Sequence, residues 1–216
     1  MSNALKELAK RAAFRYTPLG APRYPYNIEP LELATLIQEL ERVKDLPGVI
    51  LEVGVARGMT TRFICEHLLQ SQRTSERLYA IDTFESFKPD DMDYEIHVRG
   101  KKKSDLAGFN YIEFERWKQN FEEFPFVTAC KADCSTFDYA SIGPIKLAFL
   151  DVDLYLPTKQ ALGKIYDELC DGGVILVDDV KNNASYDGAY QAYVEFCSER
   201  FLPAEIIGVK CGLVRK

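Results

Sequence analysis

Apolar residues along this chain alternate between two kinds of segment. Short apolar runs at 48–53 (GVILEV), 77–82 (RLYAID), 126–132, 145–151 and 173–178 read as strands of a buried parallel sheet. Helical periodicity fills much of the space around them. Leu33, Leu36, Ile37 and Leu40 form an i, i+3, i+4, i+7 stripe within 29–44, which Pro47 and Gly48 end. A second helix is predicted over 58–70, with Met59, Phe63, Ile64 and Leu68 inward, and others over 111–122, 157–170 and 187–200. Alternating strands and helices predict an α/β fold, with right-handed crossovers and helices on both faces of the sheet. Strands at 204–209 and 211–215 leave no room for a crossover helix, so the chain should close in a hairpin. The expectation is a seven-stranded, mostly parallel sheet with an antiparallel C-terminal strand.

Acidic residues fall at the ends of two neighbouring strands of this pattern. Asp151 ends the apolar run within KLAFLDVDLY, and Asp178 with Asp179 ends that within GGVILVDDV. In an open α/β sheet, the carboxyl ends of the strands are where ligands bind. Three carboxylates there repel one another unless a cation or a proton intervenes. Asp153 could support such a site by hydrogen bonding or cap the helix that follows.

Upstream, LEVGVARGMT places Glu52, Gly54 and Gly58 as ExGxxxG at a strand-to-helix junction, with Ala56 where a dinucleotide fingerprint would carry its middle glycine. Gly54 would let a ligand approach the backbone, and Gly58 would open a helix whose free amides favour an anionic group. A glycine turn that merely packs strand on helix is the plainer alternative. Asp82, at the end of YAID, suits the hydroxyls of a ribose, or a turn cap. Asp133, in KADCST, suits the edge of an adenine, or an Asx turn.

Taken together, LEVGVARGMT, AIDTFESF, KADCSTF, AFLDVDLYLPTKQAL and GGVILVDDV resemble class I S-adenosylmethionine-dependent methyltransferases, and among them the macrocin and mycinamicin O-methyltransferase family, over residues 48 to 200. The resemblance implies a Rossmann-like fold and a methyl donor whose methionine end lies along Glu52, Gly54, Ala56, Gly58, Met59 and Thr60. It implies ribose contacts from Asp82 and Thr83, adenine contacts from Asp133 and Cys134, and Asp151 beside the donor. It further implies Asp151, Asp178 and Asp179 as ligands of Mg2+ or Mn2+. On chemical grounds Asp151 is also the first candidate for the base, with His97 second. Val152 departs from the family, which usually carries glycine between the two acids of the DxDLY segment. The implied substrate is a hydroxylated small molecule such as a sugar or a natural product. A metal would lower the pKa of its hydroxyl.

Composition narrows the function classes. The 216 residues suffice for one domain, and 47% hydrophobic with 28% charged residues is ordinary for a globular chain. A net charge of −6 argues against a nucleic-acid partner. Neither a membrane span nor a signal peptide is read, so a cytoplasmic location is expected. Six cysteines without a CxxC pair read as reduced packing residues, and two histidines exclude a histidine-rich metal centre.

Residues 1–46 read as N-terminal helices and an aromatic, proline-bearing loop that caps the 47–216 domain or contacts a second copy in a homo-oligomer. Tyr24 and Tyr26 in that loop read first as packing residues, then as contacts to an acceptor ring. Residues 83–110 exceed an ordinary loop and read as a lid. Its basic run, Arg99 with Lys101, Lys102 and Lys103, reads first as solvated and second as a surface for an anionic acceptor. Tyr111, Phe114 and Trp117 read as core. Two other functions share parts of this pattern: a metal-dependent glycosyltransferase using Asp151-Val152-Asp153, and a noncatalytic cofactor-binding protein.

Overall fold

A computed structural model describes residues 3–18, 21, 23–106, 108 and 113–216. Seven strands form one sheet in the order β3-β2-β1-β4-β5-β7-β6, built from β1 (Val49–Val53), β2 (Leu78–Asp82), β3 (Val127–Lys131), β4 (Ile145–Leu150), β5 (Leu169–Val177), β6 (Glu205–Ile207) and β7 (Cys211–Arg215). The first five run parallel, β7 is antiparallel to β5, and β6 pairs with β7 as the expected hairpin.

Side chains alternate across each strand, so the sheet makes a core on both faces. Ile50, Leu78, Ala80, Leu147 and Phe149 pack beneath α2 (Pro30–Arg42), α3 (Met59–Gln70) and α5 (Phe114–Asn120). Leu51, Val53, Ala148 and Leu150 pack beneath α6 (Tyr155–Asp167) and α7 (Asp187–Glu199). Glu52 falls two residues after Ile50 and therefore faces the α3 side. All six cysteines are free, and burial pushes the thiols of Cys65 and Cys134 up to about 12, as packing residues require.

The N-terminal segment divides in two. The helix α1 (Asn3–Tyr16) buries no side chain, whereas Leu36 and Leu40 of α2 lie fully within the core. Tyr24 and Tyr26 form an aromatic ladder with Phe63, which favours their packing role.

The long connection after β2 is not structureless. It contains α4 (Pro89–His97) and a 3-10 turn over Lys103–Asp105. Glu95 of α4, almost fully buried, accepts the Tyr155 amide at 2.7 Å and the Arg99 guanidinium at 2.8 Å. Arg99 and Lys101 both reach Asp187 of α7 at 2.6 Å. These two members of the basic run are therefore ion-paired clamps rather than solvated or substrate-facing charges, while Lys102 and Lys103 are exposed. Trp117 is buried and stacks on Phe121 at 4.1 Å, and Phe114 meets Phe84 at 4.9 Å. Tyr111 lies outside the described residues.

Candidate active site

β1 and β4 are neighbours, yet the chain leaves them in opposite directions, towards β2 on one side and β5 on the other. This switch point opens a crevice at the strand ends. A cavity of about 350 Å³ occupies it.

Glu52 lies in the wall of the cavity. It is 1% exposed, and its Oε2 has no hydrogen-bond partner. Burial raises its carboxyl to about 8, with the Asp82 charge adding and Thr61 opposing. An orphaned acid in a cavity wall is a place for a cationic group.

The turn after β1 lines the cavity at Gly54, Val55, Ala56 and Arg57, and its glycines also meet the packing demands of the plainer reading. A Cβ on Gly54, which has φ +83°, would lie 1.7 Å from the Asp151 carbonyl oxygen, so this glycine lets β1 and β4 approach each other. A Cβ on Gly58, at φ +84°, would lie 2.5 Å from the Phe121 ring. Both glycines therefore serve packing and backbone geometry first. Ala56 adopts φ 43°, a costly value for a residue with a Cβ. Asp82 holds it there by accepting the Val55 and Ala56 amides at 2.9 and 3.1 Å on one oxygen, while its other oxygen accepts the Phe84 amide at 2.7 Å. Arg57, Met59 and Thr60 continue the same wall.

Thr83 accepts the Glu85 amide and donates to the Ser86 carbonyl, which shapes the start of the lid. Asp133 accepts the Ser135 amide at 2.8 Å and the Lys88 ammonium at 2.7 Å. Burial would raise its carboxyl, but Lys88 and Ser135 outweigh burial and lower it. Cys134 is buried beside it, and Ser86, Phe87 and Lys88 bring the lid over this part of the cavity.

Three more acids line the same cavity, and carboxylate oxygens of Asp151, Asp153 and Asp179 lie within 4.8 Å of one another. Asp178 lines the same cavity but is 4% exposed and otherwise engaged. Its carboxylate accepts the Asp179 amide at 2.6 Å, and Lys210 lies 2.8 and 3.0 Å from its two oxygens. Lys210 also reaches Asp179 at 2.8 Å. Burial first, then the neighbouring acids, raises the carboxyls of Asp151 and Asp153 well above the ordinary range. Asp178 is raised by burial and Asp179, against Lys210. Asp153 and Asp179 sit at φ 61° and 58°, a left-handed conformation that aspartate tolerates better than most residues.

His97 stands apart. It is exposed at the end of α4 and does not line the cavity, because the helix turns its last residue towards solvent. Sequence reasoning missed Lys210, Tyr186 and the pair Asn27 and Ile28, all of which line the cavity. Their contribution depends on long-range folding, and no local motif marks them.

The profile of the macrocin O-methyltransferase (TylF) family matches residues 15–214, nearly the whole chain. The chain belongs to this family. A macrocin O-methyltransferase family membership agrees with the similarity to an 8-demethyl-8-(2,3-dimethoxy-alpha-L-rhamnosyl)-tetracenomycin-C 4'-O-methyltransferase from Streptomyces olivaceus, 27% identical over 152 residues. That match covers 67% of this chain and 58% of the relative's own length. Among solved structures, the O-methyltransferase NovP superposes with a TM-score of 0.70 at 20% identity, over 96% of this chain and 88% of its own. The calicheamicin methyltransferase CalS11 gives 0.68 at 18% identity, over 100% and 93%. These likenesses establish the class I methyltransferase fold of the family member described here. No helix among the described residues is long and apolar enough to cross a membrane.

Proposed function

We propose that this family member is an S-adenosylmethionine-dependent O-methyltransferase acting on a hydroxyl of a sugar or sugar-bearing natural product, with Mg2+ or Mn2+ as a second cofactor. One observation carries the reading: a single cavity joins an orphaned buried acid, Glu52, to a cluster of carboxylates at the ends of β4 and β5. The first fits the ammonium of the donor's methionine end. The second, an all-oxygen set, fits a hard divalent ion.

When bound, the donor supplies an electrophilic methyl group and the cation lowers the pKa of the acceptor hydroxyl. The residues of this chain do the rest. Glu52 and the α3 N-terminus would hold the methionine end, Asp82 and Thr83 would meet the ribose, and Asp133 with Cys134 would border the adenine. Asp151, Asp153 and Asp179 hold the ion, so Asp153 replaces Asp178 in the set expected from the sequence. With donor and acceptor bound, Asp151 would accept the proton of the acceptor hydroxyl, whose oxygen takes the methyl group as the donor leaves as the neutral thioether. Alignment of oxygen, carbon and sulfur supplies much of the acceleration.

The acceptor class follows from family membership and from the relative's action on a rhamnosyl tetracenomycin. Calorimetry with S-adenosylmethionine, followed by labelled methyl transfer to a panel of glycosides and nucleotide sugars with and without Mg2+, tests the reading. Absence of donor binding rejects it. Donor binding without transfer to any acceptor would favour a noncatalytic cofactor-binding protein.

A further inference from the structure

Lys210 comes from the turn between β6 and β7, about 30 residues beyond the acids it meets. Its position is fixed from both ends. The backbone carbonyl of Lys210 accepts the Val180 amide at 2.7 Å, which ties the hairpin to the loop carrying Asp178 and Asp179. Its side chain is 18% exposed and spans both carboxylates.

The consequence for Asp178 is direct. Its carboxylate oxygens face the ammonium at 2.8 and 3.0 Å, and one of them also accepts the Asp179 amide at 2.6 Å. Three short contacts occupy three of the roughly four lone-pair positions of this carboxylate, which leaves it poorly placed to serve a metal. Asp151, Asp153 and Asp179 still present oxygens within 4.8 Å of one another, so the cluster keeps a cation-sized opening. One lysine cannot neutralise four carboxylates, and the remaining charge is left to protons or to a second cation. That second cation would share the cluster with an ammonium that repels it.

We propose that Lys210 is a positioning residue for the metal: it withdraws Asp178 from the ligand set and weakens the affinity of Asp151, Asp153 and Asp179 for a divalent ion. This rests on the metal-dependent reading above. The benefit is a cluster that is partly neutralised when empty and releases its ion readily.

The test is Mn2+ titration of the full chain, followed by the loss of the free Mn2+ signal in electron paramagnetic resonance, with Lys210→Met compared with the native protein. Removing the ammonium should tighten Mn2+ binding by on the order of tenfold or more, since a unit charge and a divalent ion a few ångströms apart interact by more than 1 kcal/mol even at the dielectric of water. Lys210→Arg, which keeps the charge, should stay close to native. Retained S-adenosylhomocysteine binding shows that each variant is folded. Unchanged or weaker Mn2+ binding in folded Lys210→Met overturns the proposal, because Lys210 would then be a hairpin tether or a support that holds Asp178 on the metal. If Lys210→Met fails to bind S-adenosylhomocysteine, Lys210→Gln takes its place under the same criterion. Absence of Mn2+ binding in the native protein and in both variants defeats the metal-dependent reading itself, and the proposal with it. Binding seen only once the charge is removed supports it.

Discussion

At the scale of single residues, the glycine-bearing turn separates two kinds of requirement. Gly54 is needed because β4 passes where a Cβ would stand, 1.7 Å from the Asp151 carbonyl. Gly54→Ala should therefore cost about 3 kcal/mol or more in urea unfolding, since the clash is with backbone and the residue is left-handed. A variant within about 1 kcal/mol of native would show that the strands can separate. Glu52 is needed for its charge. Its carboxyl is raised to about 8, so it is largely protonated at pH 6 and ionises as the pH approaches 8. If it meets the donor's ammonium, the donor should bind more tightly across that interval. Glu52→Gln should remove the dependence and weaken binding at pH 8 by roughly tenfold to a hundredfold, the worth of a hydrogen bond to a charged group. A flat calorimetric profile in the native protein would take Glu52 out of the cofactor contact. The acids at the strand ends were legible because continuous apolar runs end visibly. Which of them cluster was not, because Lys210 reaches Asp178 from a distant hairpin.

At the scale of elements, the regular strand and helix alternation was readable almost throughout, and the lid was not. Its blocks DDMDYE and RGKKK look solvated in one dimension, since no apolar stripe marks α4. Folding turns the same charges inward upon one another. Glu95 bonds to Arg99 and to the first amide of α6, and Arg99 and Lys101 bond to Asp187 at the start of α7. Helix α4 is thus fixed to the body. Glu95→Ala should leave Arg99 with a lost partner in a site where both side chains are at most 10% exposed. The expected cost is about 3 kcal/mol, the lower end for breaking a buried pair, because Asp187 remains. Hydrogen exchange should rise across 89–101 while β1 and β4 stay protected. Exchange that rises equally everywhere would mean that the clamp supports the whole fold rather than the lid.

At the scale of the molecule, the site opposes the stability of the fold that builds it. Glu52 is raised to about 8, Glu32 to about 9 by burial and then by Asp178, and Asp151, Asp153 and Asp178 are raised in the same direction. A carboxyl whose folded value lies above its unfolded one binds more protons when folded. Its contribution is therefore fully present below the unfolded value of about 4.5 and is lost as the pH rises through the folded value. The ligand-free protein should accordingly melt at its highest temperature in mild acid and lose stability between about pH 5 and 9, by on the order of a few kcal/mol in total. Cations that pair with the ionised acids act in the opposite sense. Mn2+ at a hundred times its dissociation constant should restore about 2.7 kcal/mol, and more visibly at pH 8 than at pH 5, where protons already occupy the cluster. Differential scanning calorimetry with and without Mn2+ at the two pH values reads both effects. A melting temperature that climbs from pH 5 to 8 without metal would mean that the carboxylates are neutralised within the fold, leaving the cluster no need of a cation.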